Sequence, residues 1–125
     1  MDVTPLVRAG TQIIQSYSGG SFKISGSVYE GAVFVTTDAV ELWAFSKPFN
    51  DLSENDFQYL IAQASELDVV LLGTGEKSRF FPPILRQRLK EAGLTVEAMD
   101  TGAASRTYNV LMAEGRRVAA ALLPS

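Results

Sequence analysis

Asp68-Val-Val-Leu-Leu-Gly-Thr-Gly75 is the stretch on which the fold turns. Val69 to Leu72 form an unbroken apolar run that stops abruptly at Gly-Thr-Gly. A strand covered by helices on both faces reads this way, because neither face needs polar alternation. A helical pattern lies upstream and two strand–helix units lie downstream. This strand is therefore the expected spine of the sheet.

Downstream, Pro82-Pro83 suits the first turn of a helix. Leu85, Leu89 and Ala92 share its inner face, Arg86, Arg88, Lys90 and Glu91 its outer one, and Gly93 is a natural left-handed terminator. Leu94–Met99 reads as the next strand. Asp100-Thr101-Gly102 turns into a helix over 103–113, capped by Asp100 or Thr101 and stopped by Glu114-Gly115-Arg116. Val118–Leu123 is a final apolar strand. The pattern is β-α-β-α-β with short loops, which predicts parallel strands.

Upstream, Ser53 and Asp56 stand in capping-box positions. Phe57, Leu60, Ile61, Ala64 and Leu67 follow at helical spacing, so a helix is predicted over 53–67. Before it the chain reads as β. Ser18-Gly19-Gly20 breaks Ile13–Tyr17 from Phe22–Ile24 as a hairpin would, and Gly26 marks a bulge or bend. Thr37-Asp38-Ala39 separates 32–36 from 40–45. In the last of these, Trp43 and Phe45 alternate with Leu42 and Ala44, so both faces are apolar and the strand is expected inside the sheet beside the spine. The fold class is α/β with mixed α+β character. An antiparallel β-meander precedes α-β-α-β-α-β, giving three layers around a mixed central sheet in a single domain over 1–125.

Composition narrows the function. The 125 residues are 46% hydrophobic and 20% charged, as in a folded globular domain. A net charge of −3 without a basic run argues against nucleic-acid binding. There is no cysteine and no histidine, which excludes disulfides, a thiol nucleophile, a Ser-His-Asp triad and a Cys/His zinc site. No apolar run approaches the ~20 residues of a membrane helix, and Met1-Asp-Val-Thr-Pro-Leu6 lacks the form of a signal peptide. The expectation is a cytoplasmic protein without membrane insertion.

Two loops hold the candidate site. Gly73-Thr-Gly-Glu-Lys-Ser-Arg79 follows the spine, and Asp100-Thr-Gly-Ala-Ala-Ser-Arg106 follows the next strand. On neighbouring parallel strands they share the edge where open α/β sheets form ligand crevices. Thr74, Lys77, Ser78, Arg79, Asp100, Ser105 and Arg106 would then converge on one rim. The Gly73-Thr74-Gly75 loop imitates two nucleotide motifs and satisfies neither. A P-loop needs Gly where Glu76 precedes Lys77-Ser78, and a dinucleotide fingerprint needs Gly where Ser78 stands.

Thr101 and Ser105, with first-turn amides and Arg106, offer an anion cradle; ordinary capping accounts for the same residues. Tyr108 and Asn109 offer a buried hydroxyl and amide, or a brace for a neighbouring loop. Phe80 and Phe81 read as a lid, a protein-binding patch or packing beneath the loop. Asp100 with Glu76 offers oxygen ligands to Mg²⁺, and Lys77 would need burial to act as a base. No catalytic constellation emerges, and no cofactor or metal is implied.

The same loops carry a recognisable text. In order come Leu72-Gly-Thr-Gly75, Phe81-Pro82, Gly93-Leu-Thr-Val-Glu97, Met99-Asp-Thr101, Ala103-Ala104, Arg106-Thr-Tyr-Asn109 and Ala113-Glu-Gly-Arg116, with Tyr29-Glu-Gly31 and Trp43 before them. Together they resemble a small α/β family of largely unknown biochemistry. Its relatives include a mitochondrial complex I assembly factor and an adipogenesis-associated protein. The resemblance implies one domain with a mixed central sheet, β-hairpins on one side and helices on the other. It implies protein partners and no established enzyme activity. Family members often carry cysteine where Ser105 stands, so a thiol mechanism does not transfer.

The first reading is a non-catalytic binding or assembly protein that engages a protein partner through the crevice rim and exposed aromatics, in respiratory-complex biogenesis. The alternative is an enzyme-like domain that binds a small molecule or anion between the two loops.

Overall fold

The computed structural model describes residues 10–125, so the leader reading at Met1–Leu6 lies outside it. The chain runs through strands β1 (Ile14–Ser18), β2 (Ser21–Ile24), β3 (Ser27–Glu30), β4 (Val33–Thr36) and β5 (Val40–Leu42), then helix α1 (Gln58–Ile61). Strand β6 (Val69–Gly73), helix α2 (Pro83–Glu91), strand β7 (Val96–Met99), helix α3 (Thr101–Ala113) and strand β8 (Val118–Leu122) follow. The central sheet has the order β5-β4-β8-β6-β7, and β1-β2-β3 form a separate antiparallel sheet. Strand β6 pairs in parallel with β7 and β8, while β4 pairs antiparallel with β8 and β5. The sheet is mixed, as its sequence pattern requires.

The spine reading is met residue by residue. Val70 and Leu72 pack into one core, and Leu71 packs into the other on the opposite face. The connection from β6 through α2 leads outward to β7, whereas that from β7 through α3 returns past β6 to β8. Crossovers of one hand running in opposite directions leave their helices on opposite faces. Helix α2, α1 and the flanking turns therefore cover one face. Helix α3 and the three-stranded sheet cover the other. The hairpins and helices are thus not segregated to separate sides as the resemblance implied.

Two local expectations are corrected. Residues 40–45 do not lie beside the spine: β5 is an edge strand, its Leu42 is 61% exposed, and the inner neighbour of β6 is β8. Strand β8 takes that place because Val118-Ala-Ala-Ala-Leu122 is buried throughout, with side chains small enough for both layers to close on it. The apolar pattern at 42–45 has another cause. Trp43 stacks on Phe34 at 4.7 Å and packs on Phe45 and Phe57, forming an aromatic cluster beneath the edge.

The predicted helix over 53–67 is likewise a chain of short pieces, with 3₁₀ turns at Glu54–Phe57 and Ala64–Glu66 on either side of α1. Its apolar residues are buried or packed against the core as predicted. They are packed by turns, and the Asp56 carboxylate accepts from the Ser53 N–H at 2.8 Å and from Lys47 Nζ at 3.0 Å.

Candidate functional site

Strands β5, β6, β7 and β8 all end on one edge of the central sheet, because β5 and β8 both run antiparallel to β4. The two predicted loops meet there, since β6 and β7 are neighbours. The space between them is closed by backbone pairing. Thr74 N–H donates to Met99 O at 2.9 Å, and Thr101 N–H donates to Gly75 O at 2.8 Å.

The Thr101 hydroxyl completes the closure. Fully buried, it accepts from Gly75 N–H at 2.8 Å and donates to Leu123 O at 2.6 Å. One side chain thereby joins the start of α3 to the ends of β6 and β8. The glycine before Thr74 has a packing reason: a Cβ on Gly73 would stand 2.9 Å from Leu122 Cδ2 and Thr101 Oγ1.

The other polar groups between the loops are committed in the same way. Thr74 Oγ1 donates to Lys77 O at 2.7 Å, folding the glycine loop back on itself. Asp100 caps α3, its Oδ1 accepting from Ala103 N–H at 2.8 Å. Ser105 Oγ donates to Thr101 O at 2.8 Å and is buried. These hydroxyls and this carboxylate act as staples and caps, which is the simpler of the two roles open to them in the sequence.

Arg106, Tyr108 and Asn109 do not reach the rim; they dock α3 onto the three-stranded sheet. Arg106 Nη1 donates to the Tyr17 hydroxyl at 2.7 Å. Gly102 admits the same tyrosine, for a Cβ there would stand 2.7 Å from its hydroxyl oxygen. Asn109 brackets Ile14, accepting from its N–H at 3.0 Å and donating to its carbonyl at 2.7 Å. It completes the hydrogen bonding of β1 as a neighbouring strand would. Tyr108 hydroxyl bonds to Gln12 O at 3.0 Å and Thr36 O at 3.1 Å, joining the two sheets. Burial, reinforced by the charge of Asp38, pushes its phenol well above the ordinary tyrosine range.

What remains open at the sheet edge is a groove on the β8 side. Lys77, Ser78, Arg79 and Phe80 are exposed, while Phe81 is buried in the core. A cavity of about 600 Å³ lies between the connection 45–50, the glycine loop and residues 123–125. It joins a second of about 380 Å³ where Arg79 and Phe80 face Phe49 and Leu52. Sequence reasoning places no site residue in the wall at 45–52 and reads Phe45 as the end of a strand. The signal was the pair Phe45 and Phe49, aromatic residues in a short polar loop. Among the described residues no cluster of Asp and Glu could hold a metal ion, and no helix is long and apolar enough to cross a membrane.

Comparison with known proteins places these features in a lineage. Residues 14–123 match the family described as a protein of unknown function, DUF498/DUF598. An uncharacterized protein of Rhodobacter capsulatus is 39% identical over 93% of this chain and 87% of its own length. The bovine protein named NADH dehydrogenase (ubiquinone) 1 alpha subcomplex assembly factor 3 is 30% identical over 89% of this chain. This chain spans 60% of that protein's length. The solution structure of a Bordetella pertussis protein described as an Mth938-like domain is 28% identical. It superposes with a TM-score of 0.78 over 99% of this chain and 92% of its own. The chain belongs to the DUF498/DUF598 family, is related to proteins named as NADH dehydrogenase assembly factors and has the fold of the Mth938-like domains.

Proposed function

We propose that this chain is a protein-binding assembly factor that acts without catalysis, docking a partner on the rim formed by Arg79, Phe80 and the facing wall at 45–52. The observation that carries this reading is Phe80, which is 77% exposed on a loop whose next residue, Phe81, is buried. A large aromatic held in solvent beside a guanidinium that forms no ion pair among the described residues has the composition of a binding hot spot. The polar groups a reaction would need, on Thr74, Asp100, Thr101 and Ser105, are engaged in backbone hydrogen bonds. The relatives named as assembly factors for the NADH dehydrogenase alpha subcomplex support a role in building a respiratory complex of that type.

The test is co-purification of the tagged chain with assembly intermediates of its host's NADH dehydrogenase. Phe80→Ala and Arg79→Ala are expected to reduce recovery of its subunits while leaving the circular dichroism spectrum and melting temperature unchanged. Equal recovery by both variants would overturn the reading. A melting temperature raised by several degrees by a phosphorylated metabolite or carboxylate would favour a small anionic ligand instead.

A further inference from the structure

The groove has a charge order that narrows the partner. Its two cavities share Phe49, Asn50 and Arg79, so Arg79 stands at the junction. The Arg79 guanidinium lies over the Phe49 ring at 5.8 Å and forms no ion pair among the described residues. The other cations along this wall are engaged, and Lys77, though exposed, lines neither cavity. Lys47 pairs with Asp56 at 3.0 Å, and Arg86 donates to Val96 O at 2.7 Å. Arg79 is therefore the groove cation with donors to spare. A guanidinium beside an aromatic ring keeps its fork of donors, which matches a carboxylate in two parallel hydrogen bonds.

On one side of Arg79 the smaller cavity is walled by Phe49, Leu52, Phe80 and Pro82, an apolar surround for one side chain. On the other side the larger cavity runs past Glu76 to Leu123 and Pro124 at the end of β8. A small carboxylate would need only the junction. An extended chain, advancing ~3.3 Å per residue, would use the whole trough. Glu76 repels a second acid on that side.

We propose that the groove binds an extended peptide segment of the partner, in which an acidic side chain lies within two residues of a large apolar one. The carboxylate pairs with Arg79, the apolar side chain enters the Phe49–Phe80 cavity, and a neutral or basic residue follows beside Glu76. This inference rests on the protein-docking reading and deepens it.

The probe is a fluorescein-labelled, carboxy-amidated dodecapeptide library with a central Leu or Phe, Glu two residues on, Lys beyond it, and degenerate flanks. Polarisation should rise with the intact protein. For the best binder, Glu→Gln in the peptide or Arg79→Ala in the protein should each weaken binding about tenfold or more. Arg79→Glu should bind a peptide whose Glu is replaced by Lys better than it binds the parent peptide. The groove residues are exposed, and identical melting temperatures would show that the variants fold. The inference fails if no library member binds, if Glu→Gln and Arg79→Ala are neutral, or if hexanoate or benzoate displaces the peptide at equal concentration. Should Phe80→Ala abolish capture of the assembly intermediates while no library peptide binds, docking stands and the acidic segment falls. Should peptides bind as described while both variants capture the intermediates normally, the docking reading falls and the peptide site stands alone.

Discussion

Removing one hydroxyl, with Thr101→Val, tests whether the sheet edge is held by this single staple. Valine nearly conserves shape and keeps the helix start, but orphans two buried groups: the Gly75 N–H, now without its 2.8 Å acceptor, and the Leu123 carbonyl, now without its 2.6 Å donor. Each buried unsatisfied group costs ~1–3 kcal/mol. Leu123 O has a second lone pair and Gly75 lies near the surface loop, so the sum falls toward ~3 kcal/mol. Unfolding entropy of ~2.1 cal/mol/K per residue over 125 residues gives ~0.26 kcal/mol/K. The melting temperature should then drop by roughly 10 °C. Thr101→Ser, which keeps both hydrogen bonds, should lose less than half as much. Ser105→Ala should lose less than ~1 kcal/mol, because Thr101 O keeps its place in the helix. Urea unfolding of the three variants measures this directly. A Thr101→Val unfolding free energy within ~1 kcal/mol of the parent would refute the staple, meaning the loop relaxes or water replaces the hydroxyl.

Other perturbations read other joints. Gly73→Ala drives a Cβ to within 2.9–3.0 Å of Thr101 and Leu122, backbone included, and should cost ~1–3 kcal/mol by calorimetry. Asn109→Ala strips both hydrogen bonds from Ile14, and amide hydrogen exchange should show β1 losing protection while β6 keeps its own. Tyr108 has a raised phenol, so its neutral form favours the folded state; stability should be full below pH ~10 and decline above it. Tyr108→Phe should flatten that alkaline decline and lower stability by ~1 kcal/mol at neutral pH. Asp68 is held below the usual carboxylate range by its hydrogen bond from Arg117, 2.8 Å away. Its contribution is present above pH ~4 and lost as pH falls, so Asp68→Asn should flatten the acid limb of a pH–melting curve, less so in high salt.

The central β-α-β-α-β unit was legible because its signals are local. A both-faces apolar run, two helix stops and an Asp cap each sit within a few residues of the element they define. Strand order was not legible in the same way. Both Val118–Leu122 and Val40–Phe45 read as apolar, and what separates them is side-chain size, set by a packing partner distant in sequence. Alanine lets both layers close on β8, whereas Trp43 needs the aromatic pocket of Phe34 and Phe57 and so belongs at an edge.

The same distinction governs the site. Thr101 and Asp100 were found because loops after parallel strands must meet, yet their hydroxyl and carboxylate face backbone groups more than twenty residues away or in the next turn. A polar residue at a strand's carboxyl end has two ways to be satisfied, by a ligand or by the fold, and spacing cannot tell them apart. The residues left over can. Arg79 and Phe80 line the groove with no ion pair among the described residues and no burial, whereas Phe81 enters the core and Lys47 pairs with Asp56. On the proposed docking reading, a guanidinium without a carboxylate among the described residues and an exposed phenylalanine beside it on one loop are met together by a partner. The proposed function therefore rests on the groove rim, because the polar groups between the glycine loop and α3 are engaged in backbone hydrogen bonds.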